Sequence, residues 1–277
     1  MKRLICFVPL LFLLLGCSYG YGNPKGSTSE GVVRHALKSL YQTKDVSSIA
    51  RFWTNDFRLH TKEIESGNKA TLRRIVKKTN HLEIFRLFSD GDYVITHSRR
   101  KLGDEPQIGF QIFRVFDGKI AEQWEAWQPE AKVANPSGHS MVDGWLQNGD
   151  QAYTAENKAL VAGLIKDIFI EGKMDLLPTY IDNQTYTQHN PDIGDGLDGL
   201  QKGMQELGEK GIIMTFEKLY RVFGEGHFSL VVSNGMYGKK RVTYLDLFRV
   251  KNKKLVEHWD VIEEVGEGHS WRFPELP

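Results

Sequence analysis

The chain has 277 residues, more than one ordinary domain of ~100–150 residues, so two domains are expected. Thirty-six basic and 35 acidic side chains leave a net charge of +1, which excludes a basic nucleic-acid reader and an acidic tail. Two cysteines exclude a disulfide framework and a four-cysteine zinc site, and 40% apolar with 26% charged residues is an ordinary globular composition.

The first element in the chain is an export signal. Lys2 and Arg3 precede an apolar run, Leu4–Leu15, whose 12 residues fall short of the ~20 that a membrane-spanning helix needs. The run ends in Leu14-Leu15-Gly16-Cys17, which resembles a bacterial lipobox. That resemblance implies removal of residues 1–16 and a lipid on Cys17. The other reading is an ordinary signal cut near Gly20–Gly22, with Cys17 discarded. With the lipobox cut, the mature chain has 34 basic and 35 acidic residues and no free thiol, which suits an oxidising compartment. Residues 17–28, rich in Gly, Pro and Ser from Tyr19 onward, read as a tether. By the same lipobox resemblance, Ser18 after the cysteine implies, for a Gram-negative source, the outer membrane of the bacterial cell envelope, facing the periplasm.

Beyond the tether, helices are predicted over 31–42, 46–54 and 69–79, then strands over 82–88, 92–101, 107–116 and 119–128. Residues 129–153 carry Pro129, Asn135, Pro136, Gly138, Gly144 and Gly149 and read as a linker, with Gly138–Ser140 doubling back over the first domain. Helices over 157–171, 174–181 and 197–210 follow, then strands over 213–223, 227–236, 241–251 and 254–263. Ser27 with Glu30 suggests a capping box at the first helix, and Thr154 a cap for the fourth. Asp117-Gly118 and Asn252-Lys253 sit between apolar-rich runs and read as two-residue hairpin turns.

The two sets are copies. Val32, Val33, Ala36, Leu37, Leu40 and Tyr41 lie over Leu160, Val161, Leu164, Ile165, Ile168 and Phe169, each 128 positions on, and both make an amphipathic stripe. Asp56–His60 lies over Thr185–His189, Phe113-Arg114-Val115 over Phe248-Arg249-Val250, and Lys119–Glu125 over Lys254–Asp260. Gly138-His139-Ser140 lies over Gly268-His269-Ser270. Domains are expected at 29–128 and 154–272, each an α+β unit with helices packed on an antiparallel sheet.

Each half resembles the SnoaL-like, polyketide cyclase-like branch of the nuclear transport factor 2 superfamily. The carrying residues are Tyr186-Thr187-Gln188-His189-Asn190-Pro191, Gly196–Gly199, Leu247–Val250 and Glu257-His258-Trp259-Asp260-Val261. The first half departs, with Thr61-Lys62-Glu63 after His60 and Gln123-Trp124-Glu125 in place of His-Trp-Asp. The resemblance implies two cone-shaped domains, each a curved sheet wrapped by helices around an apolar pocket. It implies either cofactor-free aldol-type cyclase or isomerase chemistry, or a carrier or assembly module without turnover. It also implies that the two domains pair as an intramolecular pseudo-dimer.

Asp260 is the leading acid/base candidate, on a strand two residues from His258, so that both point to one face while Glu257 and Trp259 point to the other. An apolar pocket raises a carboxyl's pKa, which suits removal of a proton beside a carbonyl, with His258 or His189 as donor to the enolate. The competing reading is a strand carboxylate paired with a histidine or arginine. His189 reads either as a pocket residue or as a ring bonded to a backbone carbonyl. Asp246, His60 and Glu125 are candidate ligand-binding residues, Asp246 also fitting a paired carboxylate. Gln123 cannot exchange protons, so the first domain is expected to be the degenerate copy. Trp124, Trp127 and Trp259 either stack on a flat ligand or pack a core. The expected ligand is small and apolar or aromatic. His189, His258 and Asp260 are metal-ligand types, but no tight spacing such as HExxH is present, so no metal or other cofactor is expected. No P-loop, Rossmann glycine pattern or GxSxG is present.

Overall fold

The computed structural model describes residues 28–62, 64–266 and 273. Cys17, the tether up to residue 27 and Gly268-His269-Ser270 lie outside them. In the first half, α1 (Ser29–Leu37) runs on into a π-helical turn at Lys38–Gln42 and is followed by α2 (Ser48–Phe52). Next come β1 (Trp53–Thr61), β2 (Ile64–Gly67), α3 (Lys69–Lys78), β3 (Thr79–Asp90), β4 (Tyr93–Leu102), β5 (Glu105–Phe116) and β6 (Lys119–Pro129). In the second half come α4 (Thr154–Leu164), continued by a π-helical turn at Ile165–Ile170, α5 (Leu177–Tyr180), β7 (Thr187–Gln188) and α6 (Gly196–Glu209). The half ends with β8 (Met214–Glu225), β9 (Phe228–Tyr237), β10 (Lys240–Lys251) and β11 (Lys254–Glu264).

Local chemistry differs from expectation at three places. Thr28 caps α1 by accepting from Gly31 N at 3.1 Å, where Ser27 with Glu30 was expected. Thr154 lies inside α4, whose N-cap residue Tyr153 makes no side-chain bond; Asp150 caps the single turn before it, Gln151–Tyr153, by accepting from Ala152 N. The helix expected over 46–54 stops at Phe52 because Trp53, Phe57 and Leu59 alternate with polar residues, the strand period, and bury one side of β1.

The strands form a six-stranded sheet, ordered β2-β1-β6-β5-β4-β3, and a five-stranded sheet, ordered β7-β11-β10-β9-β8. In each, the strand after the first helices runs parallel to the last strand, and β3–β6 or β8–β11 form an antiparallel meander. Two tandem α+β domains result, the same order of helices and strands occurring twice apart from β2, which has no counterpart in the second. The duplication reaches details of backbone. Bulges fall at Arg114/Val115 and again at Arg249/Val250, and at Ile84/Arg86 and again at Leu219/Arg221, bending both sheets at equivalent points. Both β5–β6 and β10–β11 close through two residues at positive φ, Asp117 and Gly118 at 47° and 68°, Asn252 and Lys253 at 52° and 60°. This is the mirror-image turn that matches strand twist.

Alternation then sorts each strand into two faces. The concave face of the first sheet packs Phe113, Val115 and Trp127 against α1–α3, and that of the second packs Val242, Tyr244, Phe248 and Val250 against α4 and its extension. The opposite faces meet each other in one core. It joins Ile108, Phe110, Ile112 and Trp124 of the first sheet to Leu230, Leu245, Leu247 and Trp259 of the second. Polar contacts at the edges of this core also repeat. Gln128 accepts from Ile262 N at 2.9 Å, and Glu263, its equivalent, accepts from Trp127 N at 3.1 Å.

Residues 130–150 contain no helix or strand. Gly138–Ser140 packs on the second domain and not back over the first, because Asn135 Nδ2 donates to the Gln188 and Ile193 carbonyls and Ser137 Oγ accepts from Asp195 N. Arg86, 1% exposed, clasps the segment further on, donating to the carbonyls of Val142, Asp143 and Trp145 and lying 3.9 Å over the Trp259 ring.

Candidate functional site

On the concave face of the second sheet, Asp246 of β10 stands directly opposite Asp260 of β11, and Phe248 opposite His258. Two like charges in that relation destabilise a sheet, so their presence calls for compensation. The three polar residues are 5%, 8% and 6% exposed for Asp246, His258 and Asp260. His258 Nε2 lies 3.2 Å from Asp246 Oδ1, and its Nδ1 lies 2.9 Å from Gln188 Oε1. That amide oxygen also accepts from the His189 and Asn190 backbone N–H groups, so its orientation is set and His258 Nδ1 is the donor toward it. Asn190 Nδ2 donates to Asp260 Oδ2 at 2.6 Å. Asp246 Oδ2 and Asp260 Oδ1 are buried with no hydrogen-bond partner among the described residues.

Burial pushes the Asp260 carboxyl up to about 6, the Asp246 carboxylate adding to the rise and His258 and Asn190 opposing it. Burial, with Asp260 and Asp246 next, also raises the Tyr186 phenol. The walls are apolar and aromatic: Tyr186, Tyr244 and Phe248, the last stacked on His258 at 4.5 Å.

The first cone carries the same positions with different chemistry. Gln111, Gln123 and Glu125 stand where Asp246, His258 and Asp260 stand, each 135 positions earlier. Glu125 accepts from Gln123 Nε2 at 3.0 Å and Gln111 Nε2 at 3.4 Å, and its other oxygen lies 3.3 Å from Arg100 Nη1. Arg100 lies 4.1 Å over the Trp127 ring. A cavity of about 140 Å³ at this cone's mouth is lined by Glu125, Arg100, Trp127, Arg74, Lys78 and Glu263. Amides and a guanidinium thus offset the Glu125 charge, whereas in the second cone a second carboxylate opposes Asp260.

His189 is not brought to Asp260. Its ring lies on the other face of β11, stacked on Trp259 at 4.7 Å, with Nε2 3.1 Å from Glu257 Oε1. Glu257 in turn accepts from Arg249 Nε at 2.6 Å. His60 takes the equivalent place, stacked on Trp124 at 5.1 Å with Nε2 2.9 Å from Glu122, which accepts from Arg114. His60 therefore lies on the face toward the other domain, away from Glu125. The physical reason is alternation: Gln188 and Asn190 point into the cone, so His189 between them points out. The same rule that places His258 beside Asp260 identifies Gln188 and Asn190 as the neighbours of that pair, a signal present in the sequence. Trp124 and Trp259 pack the shared core, and only Trp127 among the three tryptophans lines a cone.

Among the described residues, two groups of side chains have the composition and spacing to hold a metal ion: Asp246, His258 and Asp260 inside the second cone, and His139, Asp143 and His189 outside it.

No family model and no curated protein sequence matches this chain. Among solved structures, an NTF2-like protein of unknown function from Cytophaga hutchinsonii aligns at 10% identity and a TM-score of 0.35, over 38% of this chain and 94% of its own. A putative ketosteroid isomerase from Kribbella flavida aligns at 20% identity and a TM-score of 0.33, over 43% and 90%. IdmH, a putative polyketide cyclase from Streptomyces antibioticus, aligns at 14% identity and a TM-score of 0.32, over 37% and 93%. The fold described above stands on strand order and register.

Proposed function

We propose that this chain is a small-molecule-binding protein of the bacterial envelope whose second cone moves a proton through Asp260. One observation carries the reading: a carboxyl raised to about 6, buried opposite a second carboxylate, with one oxygen unpartnered among the described residues. A base with its pKa near the working pH is matched to take a proton from carbon beside a carbonyl. Return of that proton to another carbon of the enolate is an isomerisation. Attack of the enolate carbon on a second carbonyl of the same molecule is an aldol ring closure, and the alkoxide then recovers the proton from Asp260. His258 donates Nδ1–H to Gln188 and holds Asp246 with Nε2, so it serves a developing oxyanion once Nε2 turns from Asp246. Tyr186, Tyr244 and Phe248 favour an apolar or aromatic carbonyl compound. Neither reaction needs a cofactor.

The first cone is the binding copy, because the Glu125 charge is already offset by Arg100. The shared core motivates an intramolecular pseudo-dimer, and the lipobox-like sequence motivates lipid anchoring at Cys17, in the outer membrane facing the periplasm. Exchange of α-protons for deuterium in aryl ketones and cyclic 1,3-diketones, followed by NMR, tests the chemistry. Asp260→Asn should slow any catalysed exchange by ~10²–10⁴-fold. Compounds that bind without exchanging would support a second reading, a carrier or assembly module without turnover, which the offset charge of Glu125 favours for the first cone.

A further inference from the structure

Where the segment between the domains crosses the second domain, two histidines converge on one carboxylate. His189 Nδ1 lies 2.7 Å from Asp143 Oδ1 and His139 Nδ1 lies 4.0 Å from Asp143 Oδ2. The far nitrogen of each ring is held by another carboxylate: His139 Nε2 by Asp195 Oδ2 at 3.1 Å, His189 Nε2 by Glu257 Oε1 at 3.1 Å. We propose that His139, Asp143 and His189 form a binding site for a divalent transition cation of the zinc class.

Imidazole, imidazole and carboxylate are a ligand set that zinc and its neighbours favour. One donor atom from each residue lies within 4.8 Å of the others, and a cation with bonds of ~2.0–2.2 Å closes that spacing through side-chain rotation. The decisive feature is the outer ring of contacts. A metal-bound histidine usually donates its other N–H to a carboxylate or carbonyl, which selects the tautomer and aims the ring, and both histidines here have that carboxylate. The carboxylates are themselves held, Glu257 by Arg249 Nε at 2.6 Å and Asp195 by Gln188 N at 2.9 Å. The loop bearing Asp143 is fixed as well, its carbonyl accepting from Arg86 Nη2 and Trp259 Nε1. The contact that the metal replaces is the one from His189 Nδ1 to the Ser140 carbonyl at 2.9 Å.

The duplication supplies an internal control. His60 has the same carboxylate and the same tryptophan, so that arrangement by itself is structural. In sequence His139 lies over His269 but Asp143 lies over Phe273, so the carboxylate delivered by the connecting segment is what the second domain adds. Three protein ligands leave a position open for water or a small anion, and two of them, His139 and Asp143, line a cavity of about 220 Å³ through which it can enter. The cation pins the connecting segment to the second domain, independently of any chemistry at Asp260.

The full chain, stripped with chelator and dialysed against Zn²⁺, should retain one zinc per molecule. Co²⁺ in its place should give visible absorption bands shifted by imidazole ligation. Asp143→Asn and His139→Gln should each weaken zinc binding at least tenfold and abolish the cobalt bands, while Asp246→Asn leaves both unchanged; His139→Gln alters a partly exposed ring and serves if Asp143→Asn misfolds. Asp195→Asn, one contact further out, should weaken binding ~10-fold or more. No retained zinc in the wild type, unchanged binding in both ligand variants, or loss of zinc in Asp246→Asn would each overturn the site.

Discussion

Replacing Asp260 with asparagine should make the protein's stability less dependent on pH, by an amount the site itself sets. The Asp260 carboxyl is raised from an ordinary value of 3.8 to about 6 in the folded chain, chiefly by burial. A raised carboxyl favours the folded state while protonated. Its contribution is fully present below the unfolded pKa and is lost as pH rises through about 6. Between pH 5 and pH 7.5 the wild type should therefore lose roughly 1–2 kcal/mol that the asparagine variant keeps. At pH 7.5 the variant is relieved of an ionised, buried carboxylate that costs about 3 kcal/mol by the same linkage. The groups facing Asp260 are Asp246 from β10, His258 from its own strand, Tyr237 from β9, Tyr244 from β10, and Tyr186 and Asp192 from either side of β7. All remain in the variant, and Asn190 Nδ2 can still donate to an amide oxygen at position 260. Urea unfolding of both proteins at the two pH values, followed by two probes to confirm a single transition, gives the difference. Parallel stabilities across this window would mean that Asp260 titrates normally, and the proposed proton transfer would lose its basis.

Gly144→Ala should destabilise the chain by at least about 2 kcal/mol in thermal unfolding, because Gly144 sits at φ +90° and an added Cβ would collide with Glu257 Oε1. Arg86→Met should leave the Val142 and Trp145 carbonyls without their donor and the Asp143 carbonyl with Trp259 Nε1 alone, costing about 3 kcal/mol or more, and should make residues 130–150 a preferred site in limited proteolysis. Glu125→Gln should change any α-proton exchange far less than Asp260→Asn, measured side by side at matched ligand occupancy. Cys17→Ser should move the protein from the membrane to the soluble fraction and remove the acyl mass from its N-terminus.

The meander strands were readable because apolar residues alternate or run continuously between turn signals, and Asp117-Gly118 and Asn252-Lys253 mark their hairpins. The internal repeat was readable because a two-sided sheet constrains both faces at once, so that Lys119–Glu125 and Lys254–Asp260 stay in register. β1 and β7 were harder. β1 follows a helix without a break, and β7 is two residues long, held in place by pairing with β11 rather than by any local preference. At the site, the pairing of His258 with Asp260 follows from period two along one strand. The position of Asp246 does not, because it depends on the register between β10 and β11, which a bulge at Arg249/Val250 shifts by one residue. Of the two readings of His189, the ring bonded to a backbone carbonyl holds, its Nδ1 lying 2.9 Å from the Ser140 carbonyl, and the alternation of Gln188, His189 and Asn190 gives the reason. The convergence of His139, Asp143 and His189 depends on where an irregular segment docks, and no periodicity reports that.

The duplication also separates structure from chemistry inside one molecule. On the faces that meet, both halves carry a histidine stacked on tryptophan, bonded to glutamate, with arginine behind it: His60, Trp124, Glu122 and Arg114, then His189, Trp259, Glu257 and Arg249. A buried glutamate between a histidine and an arginine is costly to break, since loss of one partner leaves an uncompensated charge. Each copy therefore depends on the set for packing against the other. Inside the cones no such mutual constraint acts, and there the copies differ at all three polar positions: Gln111, Gln123 and Glu125 against Asp246, His258 and Asp260. The carboxylate facing amides and Arg100 is electrostatically settled. The one facing another carboxylate is not, and it is this unrelieved charge, set in walls of Tyr186, Tyr244 and Phe248, that makes the second cone the place to look for turnover.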